Sequence, residues 1–483
     1  MSRMTLFLVA ILGWIVLVAP LGAEVNFSKS IIDSTFAPGA RPRHVTAADL
    51  TGDDGPDLVL AVLDLVGGSD GVFLYRSDGN GMFTEFALDT TVQDPIRIAA
   101  GDIDGDADND IVVGTRLEGL LCYRNESTGS FSRVAIDGDM PTIYTPVLVD
   151  FDGDSDNDVV LVATAGLFWE VNDGSGGFVR DTLDVLTGIS DAGLSVRDLD
   201  GDLDNDIVLY SWPGLGIEYY LVSYRNDGGT GFVKDTLDVV GEPITDVFTD
   251  DLDWDGDNDI ITTLAESNSV QWYRNDGDSF ARETIGDDFT QAPECASVAD
   301  IDGDGDRDVI VTGGNHAIGS VAYYENDGAE TFTQRIIDDS QGNYQLHASL
   351  DADADGDVDL FVPNNFPFEL VFYRNDGPVG GTGPPCGMPR VLTWAYPNPF
   401  STRTRIQFDS SHAFHPGGDV RIRIFDTDGR LIRVLTGERQ TNRRRSVEWD
   451  GRDAGGRPAS SGIYLARIDG EGSGEGGLLV LQR

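Results

Sequence analysis

An all-β chain, with a seven-bladed β-propeller followed by a small β-sandwich, is the fold that three observations predict. A nine-residue acidic loop recurs seven times, beginning at 49, 102, 150, 198, 251, 300 and 351, a period close to fifty residues. Four short strand-like runs keep step with each loop, and helical periodicity is nearly absent. After Gly377 the period stops, the charge changes sign and a different strand pattern follows. Four strands per unit at this period describe the blades of a propeller.

The chain opens on a leader. Residues 1–23 carry Arg3, an apolar run over 6–18 and the small-residue end Leu21-Gly22-Ala23. This reads as a secretory signal peptide cleaved after Ala23, the apolar run being short for a membrane span. No later stretch is long and apolar enough to span, so the mature chain is expected to be secreted or displayed at the cell surface.

Each unit then repeats one grammar. An extended segment such as 96–100 or 146–149 leads into the acidic loop, and a β-branched run follows it, as at 111–113, 159–162, 207–209 and 309–311. The next strand ends in an Asn-Asp-Gly turn at Tyr224–Gly228, Tyr273–Gly277 and Tyr373–Gly377, a triplet suited to hairpins because Gly and Asn tolerate positive φ. Last comes a strand led by Phe83, Phe131, Phe178, Phe232, Phe280 or Phe332. The seventh unit lacks this final strand, and residues 27–33 supply an orphan one led by Phe27. That N-terminal strand is expected to complete the last blade and close the ring, where an open solenoid would need atypical caps.

The second loop, Asp102-Ile-Asp-Gly-Asp-Ala-Asp-Asn-Asp110, places a carboxylate at every second position. At ~4 Å and an effective dielectric of about 20, each pair of such charges costs roughly 4 kcal/mol, so a folded loop implies a bound cation. All-oxygen hard ligands without His or Cys favour calcium. The candidate metal ligands are Asp102, Asp104, Asp106, Asp108 and Asp110; Asp150, Asp152, Asp154, Asp156 and Asp158; Asp198, Asp200, Asp202, Asp204 and Asp206. They continue with Asp251, Asp253, Asp255, Asp257 and Asp259; Asp300, Asp302, Asp304, Asp306 and Asp308; and Asp351, Asp353, Asp355, Asp357 and Asp359. The first loop keeps only Asp49, Asp53 and Asp57, with Thr51 and Gly55 between, and is expected to bind most weakly of up to seven calcium ions. An EF-hand is excluded at Asp351, because its twelfth position is Val362 in place of the bidentate Glu and its flanks are strands.

Seven such loops in phase, each followed by an apolar strand, with Asn-Asp-Gly turns recurring among the units, resemble the FG-GAP/VCBS repeats of integrin-α-type propellers, over residues 26–377. The resemblance implies that each loop joins the two inner strands of a blade. It implies calcium ligation through the first, third, fifth and ninth positions and a seventh-position carbonyl. The seventh-position Asp (Asp108 and its equivalents) departs from that pattern, either adding a ligand or standing in solvent.

Residues 378–390 form a Pro/Gly-rich linker. Beyond it, strand-like runs at 404–408, 420–425, 431–435, 446–449, 462–468 and 477–481 predict the sandwich. Tyr396-Pro-Asn-Pro-Phe400, Ile424–Arg430, Trp449–Asp453 and Ser461-Gly-Ile-Tyr464 resemble the FlgD-like immunoglobulin-type domain shared by type IX secretion sorting domains. Residues 391–483 are therefore expected to be an immunoglobulin-like export address, with type IX-like machinery as partner. Their basic residues are all arginine, where such domains commonly end in lysine.

Net charge is −50 overall; residues 390–483 hold 15 Arg against 11 acids, leaving −54 on the first 389. That argues against nucleic acid or anionic membrane as partners of the propeller. Three cysteines, Cys122, Cys295 and Cys386, give no disulfide framework. Of the five histidines, His44, His316, His347, His412 and His415, the last two fall in a loop of the sandwich. His44, Arg97, Tyr144, Asp246 and His347 precede their loops by four to six residues, where a propeller's innermost strand meets the channel. They are either ordinary channel-lining groups or, on a rival reading, parts of a polysaccharide lyase site. No Ser-His-Asp order, zinc signature or phosphate loop occurs. Trp169, Tyr224, Trp272, Tyr273, Tyr323, Tyr324 and Tyr373 hold fixed places in the repeat, which suits inter-blade packing better than sugar stacking. The off-pattern inserts at Trp212-Pro-Gly and Asn364-Asn-Phe-Pro-Phe are candidate recognition elements. The expected function is an exported calcium-binding module for glycans or surface proteins, the alternatives being the lyase and a structural surface-layer component.

Overall fold

The computed structural model describes residues 25–36, 39–52, 55–64, 70–78, 81–127, 129–214, 216–226, 228, 231–277, 279–315, 318–340, 342–353 and 355–378. Beyond these it describes 394–396, 403–409, 420–426, 430–437, 444–452, 457, 459, 462–469 and 476–481. The leader 1–23, Asp53, the linker from 379 with Cys386, His316, His412, His415 and most of the Tyr396–Phe400 motif lie outside the described residues. No helix occurs among the described residues, and none is long and apolar enough to cross a membrane.

Seven four-stranded antiparallel sheets make the propeller. From the inner strand outward, blade 1 is Ala40–Ala48, Asp57–Asp64, Gly71–Ser77 and Phe83–Asp89; blade 2 is Pro95–Gly101, Asp110–Thr115, Leu120–Ser127 and Ser130–Asp137. Blade 3 is Ile143–Val149, Asp158–Ala163, Gly166–Asn172 and Phe178–Asp184; blade 4 is Asp191–Arg197, Asp206–Trp212, Tyr219–Asn226 and Phe232–Val240. Blade 5 is Ile244–Asp250, Asp259–Leu264, Ser269–Asn275 and Phe280–Gly286; blade 6 is Pro293–Ala299, Asp308–Asn315, Ile318–Asn326 and Phe332–Asp338. Blade 7 combines Ala348–Leu350, Asp359–Asn365 and Phe368–Pro378 with the N-terminal strand Val25–Asp33, which pairs antiparallel with Phe368–Pro378 through Lys29 opposite Tyr373.

The core lies between blades. Val160, Val162 and Leu167 of blade 3 pack with Leu194, Ile207 and Leu209 of blade 4, and equivalent clusters join blades 1–2, 2–3, 4–5 and 5–6. Each second strand is therefore covered on both faces: Asp110–Thr115, Asp158–Ala163 and Asp259–Leu264 are buried throughout. That double burial is why these strands read as unbroken apolar runs. Between blades 7 and 1, Phe83 meets Phe361 edge-on at 5.3 Å. Between blades 6 and 7, Thr312 Oγ1 donates to the Gln345 carbonyl at 2.8 Å.

A second device ties the blades at their outer rim. A one-residue bulge near the end of the outer strand leaves Ile32, Ile136, Leu183, Leu237, Ile285 or Ile337 without a cross-strand partner. In most blades the residue that follows is an Asp that accepts the hydroxyl of the next blade's third-strand tyrosine: Tyr75 to Asp33 at 2.8 Å, Tyr224 to Asp184 at 2.9 Å, Tyr273 to Asp238 at 2.9 Å and Tyr373 to Asp338 at 2.7 Å. Bulges re-aim side chains in this way. The recurring tyrosines are inter-blade packing groups.

The C-terminal strands form two antiparallel sheets. One orders Leu431–Gly437, Val420–Asp426, Gly462–Asp469 and Gly476–Leu481, and the other Trp394–Tyr396, Thr404–Asp409 and Arg444–Trp449. Trp449 is fully buried and its Nε1 donates to the Arg452 carbonyl at 3.1 Å.

Candidate metal centres and the channel mouth

Each acidic loop joins the inner strand of a blade to the second. In the second loop, Asp102 Oδ1 accepts the Gly105 N–H at 2.8 Å and its Oδ2 accepts that of Ala107 at 3.0 Å, while Asp106 Oδ1 accepts that of Asp108 at 3.0 Å. These bonds need left-handed backbone at the fourth and sixth positions, at Gly105 (φ 78°) and Ala107 (φ 75°). The same pair recurs at Gly153 and Ser155 and at Gly201 and Leu203. The curl converges the odd-numbered carboxylates. Ligand oxygens lie within 4.8 Å of one another in Asp102/Asp104/Asp110, Asp150/Asp152/Asp154, Asp198/Asp200/Asp206, Asp251/Asp253/Asp255 and Asp300/Asp302/Asp304. The donor set fits a hard divalent cation. Among the described residues of the loops, three carboxylate oxygens are buried without a hydrogen bond: Asp104 Oδ1, Asp251 Oδ1 and Asp353 Oδ1. Burial, then the Asp106 charge, pushes Asp104 above the usual carboxylate range, and burial raises Asp302 and Asp355 to about 6.

The nine positions have separate duties that spacing alone does not reveal. The ninth-position Asp is a clamp. Asp110 takes the Ile103 N–H on Oδ2 (3.0 Å) and the Asn125 N–H on Oδ1 (2.7 Å), and Asp158, Asp206, Asp259 and Asp308 repeat both bonds. Asp57 takes the Leu50 N–H in the same way, and Asp359 that of Asn375. Burial raises Asp110 and Asp206 to about 6, Asp259 to about 7 and Asp308 to about 8. The seventh-position Asp156, Asp204 and Asp306 lie against the hairpin glycines Gly174, Gly228 and Gly328, where an added Cβ would meet a carboxylate oxygen at 2.2, 2.4 and 2.4 Å. The five clusters above contain no seventh-position carboxylate. In the first loop, Asp49 Oδ1 accepts the Gly52 N–H at 2.8 Å.

Two sets of asparagines were hidden in plain motifs. At the eighth position Asn109, Asn157, Asn205 and Asn258 donate to the carbonyls of Asp49, Asp102, Asp150 and Asp198 in the preceding blade. The Asn that ends the third strand does the same: Asn125, Asn172, Asn275 and Asn375 reach the carbonyls of Leu50, Ile103, Leu199 and Ile301. The Asn of Asn-Asp-Gly is thus an inter-blade tie as well as a turn residue. Its recurrence 14 to 20 residues after the ninth-position Asp, at the end of each strand that follows, was the available signal.

At the other end of the inner strands the chain builds a cavity. In five blades the register slips by one residue, leaving Arg43, Ile96, Tyr144, Thr245 and Glu294 unpaired on their inner strands. All five line one cavity of about 410 Å³, with Arg41, Arg97, Arg116, Asp191, Tyr210 and Asn365. The fourth blade, with Ala192 at the equivalent place, runs without a slip. The insert residue Asn365 reaches this mouth directly. Trp212 accepts the N–H of the mouth residue Ser190 on its carbonyl at 3.0 Å and stacks on Tyr219 at 5.9 Å. Phe366 of the other insert is 44% exposed.

Deeper in the channel lie His44 and His347. His44 Nδ1 accepts the Ile98 N–H at 3.1 Å, and His347 sits between Ser297 Oγ (2.6 Å) and Thr312 Oγ1 (3.0 Å). Burial, with Arg97 and His347 nearby, lowers His44 to about 3, and burial lowers His347 to about 4, so both rings are neutral at physiological pH. Arg97 faces Asp246 at 3.7 Å. Cys122 and Cys295 are buried free thiols. A separate cavity of about 860 Å³ between blades 3 and 4 is lined by Trp169 and by Asp152, Asp181, Asp184 and Asp204.

Comparison with known proteins adds the repeat's identity. The FG-GAP-like repeat family matches residues 102–161, 251–311 and 300–362. No curated protein matches the chain. Among solved structures, an Agrocybe aegerita lectin that recognises non-reducing terminal N-acetylglucosamine is similar with a TM-score of 0.45 and 20% identity, over 62% of this chain and 81% of the lectin. PorZ, a surface component of the type IX secretion system of Porphyromonas gingivalis, is similar with a TM-score of 0.43 and 16% identity, over 88% of this chain; the match spans 58% of PorZ. The chain carries FG-GAP-like repeats on a seven-bladed β-propeller.

Proposed function

We propose that this is an exported, calcium-stabilised propeller that binds glycans or surface proteins at the channel mouth opposite its acidic loops. The five repeated bulges carry this reading. One backbone device, used in five blades, presents five different side chains to one cavity, and a fixed scaffold with varied residues is how recognition surfaces are built. Both off-pattern inserts lie at the same face. In the loops, the first and third carboxylates, with the fifth or the ninth that converges on them, would hold calcium, the ninth also clamping the loop to the third strand; the ion would supply the positive charge that the crowded carboxylates lack. The leader and the C-terminal sheets are assigned to export, the latter as an immunoglobulin-like sorting domain of the type IX kind.

The test is binding of the full mature chain, in millimolar calcium, to an array of glycans and to cell-surface extracts. Tyr144→Ala and Thr245→Ala should lose binding while the melting temperature stays within a few degrees. Failure to bind any glycan or surface component, by a chain that melts cooperatively, refutes the reading.

A further inference from the structure

The mouth also has a chemical bias. The first 389 residues hold 18 Lys and Arg against 72 acids, yet four of those 18 bases, Arg41, Arg43, Arg97 and Arg116, converge on this one cavity. Elsewhere the bases serve the frame: Lys29, Arg133, Lys234 and Arg282 on outer strands pair with Asp338, Asp89, Asp184 and Asp238 of the preceding blade. At the mouth, Arg97 has Asp246 and Arg116 has Asp94 at 3.1 Å. Among the described residues neither Arg41 nor Arg43 has an ion-pair partner, and half-buried Arg43 feels the charge of Asp94 first, then those of Arg116, Arg41 and Asp70. Three guanidiniums therefore outnumber the two carboxylates beside them, and burial makes the excess positive charge costly unless a further anion joins them.

The anion is not a bare one. Asp191 and Glu294 line the same cavity from blades 4 and 6, while the arginines come from blades 1 and 2. A phosphate or sulfate filling the cavity would face those carboxylates unfavourably. A ligand bearing one carboxylate and several hydroxyl donors satisfies both sides, and Tyr144 and Asn365 add the aromatic and amide groups that sugar rings use. The cavity between blades 3 and 4 lacks this balance, because its lining is carboxylate-rich and its Lys234 is already held by Asp184 at 2.6 Å.

We propose that the mouth binds an acidic sugar, its carboxylate held by Arg41, Arg43 and Arg116 and its hydroxyls donating to Asp191 and Glu294. This rests on the reading of the mouth as the recognition surface. Guanidinium groups suit the task because their planar fork binds a carboxylate through two parallel hydrogen bonds.

The experiment is calorimetric titration of the full chain, in calcium, with trigalacturonate and with sialyllactose, against their neutral counterparts galactotriose and lactose and against a glutamate-rich peptide. At least one acidic sugar should bind tenfold or more tightly than its neutral counterpart and than the peptide, and which one binds identifies a uronate or a sialate. Arg43→Gln and, separately, Arg116→Gln should each weaken that binding tenfold or more, while Arg225→Gln, on a distant third strand, should not. Equal affinity for acidic and neutral sugars, preference for the peptide, or acidic-sugar binding indifferent to both arginine variants overturns the proposal. Neutral sugars bound at the mouth would leave the binding-module reading standing and sink only the carboxylate. No binding by any of the sugars overturns the carboxylate inference, and the glycan array and cell-surface extracts then decide the broader reading independently.

Discussion

At the sixth position of the acidic loop the backbone is left-handed whether or not the residue is glycine. Gly256 occupies it in the fifth loop and Gly305 in the sixth, but Leu203 adopts φ 77° in the fourth, with its side chain 65% exposed. A non-glycine residue there costs about 1–2 kcal/mol, partly offset by glycine's larger unfolded-state entropy of about 0.5–1 kcal/mol. Leu203→Gly should therefore stabilise the propeller by about 0.5–1 kcal/mol in denaturant titration. Trp254, at the fourth position of its loop with φ 60°, is a contrasting case, because Arg307 lies 4.4 Å from its ring centroid. Losing that contact costs about 0.5–1 kcal/mol, so Trp254→Gly should be nearly neutral. Asp110→Ala strands two buried N–H groups at about 1–3 kcal/mol each, whereas Asp108→Ala should change stability by less than about 0.5 kcal/mol. Equal losses from the two would refute the division of labour. Alternating carboxylates were legible in the spacing. That Asp110 clamps Ile103 to Asn125 was not, because it depends on which strand lies beside the loop.

Among elements, the second strands were the most legible, since burial on both faces writes itself as an unbroken β-branched run such as 159–162. The bulges were the least. An extra residue such as Tyr144 or Ile285 leaves a strand looking continuous along the chain, and only pairing with its neighbour exposes the slip. The outer bulge carries the Asp that receives the next blade's tyrosine hydroxyl, so the tie can be tested alone. Tyr273→Phe keeps the ring and removes a hydrogen bond to Asp238, a charged acceptor that Arg282 also holds. It should cost about 1.5–3 kcal/mol in chemical denaturation, with the fold intact by circular dichroism. No measurable change would show that Arg282 alone satisfies the carboxylate.

Over the whole molecule, charge outweighs every local effect. The first 389 residues carry −54, and seven divalent cations would bring 14 positive charges to one end of the blades. The direction of the pH dependence follows from the loop carboxylates. In the calcium-free chain Asp110 and Asp206 are raised by burial to about 6, Asp259 to about 7 and Asp308 to about 8. A carboxyl whose folded pKa is raised contributes stability below its unfolded value of about 4 and loses it as pH rises through the folded value. Buried neutral His44 and His347 oppose this below the usual imidazole value of about 6.5, so in chelator the melting temperature should fall most clearly between about pH 6.5 and pH 8. Asp338 works in the opposite sense. Burial pushes it up, but hydrogen bonds from Lys29, Ser340 and Tyr373 outweigh burial and hold it at about 2, so its contribution fades only below about pH 4, outside that window. Calcium binds deprotonated carboxylates, so its stabilisation should widen as the calcium-free form weakens. At tenfold over its dissociation constant each site adds about 1.4 kcal/mol, and several sites together shift the melting temperature by many degrees. The measurement is thermal melting from pH 5 to 8 in calcium, in magnesium at matched ionic strength and in chelator. A calcium-specific gap that is small at pH 5 and largest at pH 8 is expected. A gap that magnesium reproduces would reassign the effect to general screening, and a gap that narrows as pH rises would show that the acidic loops are not where calcium acts.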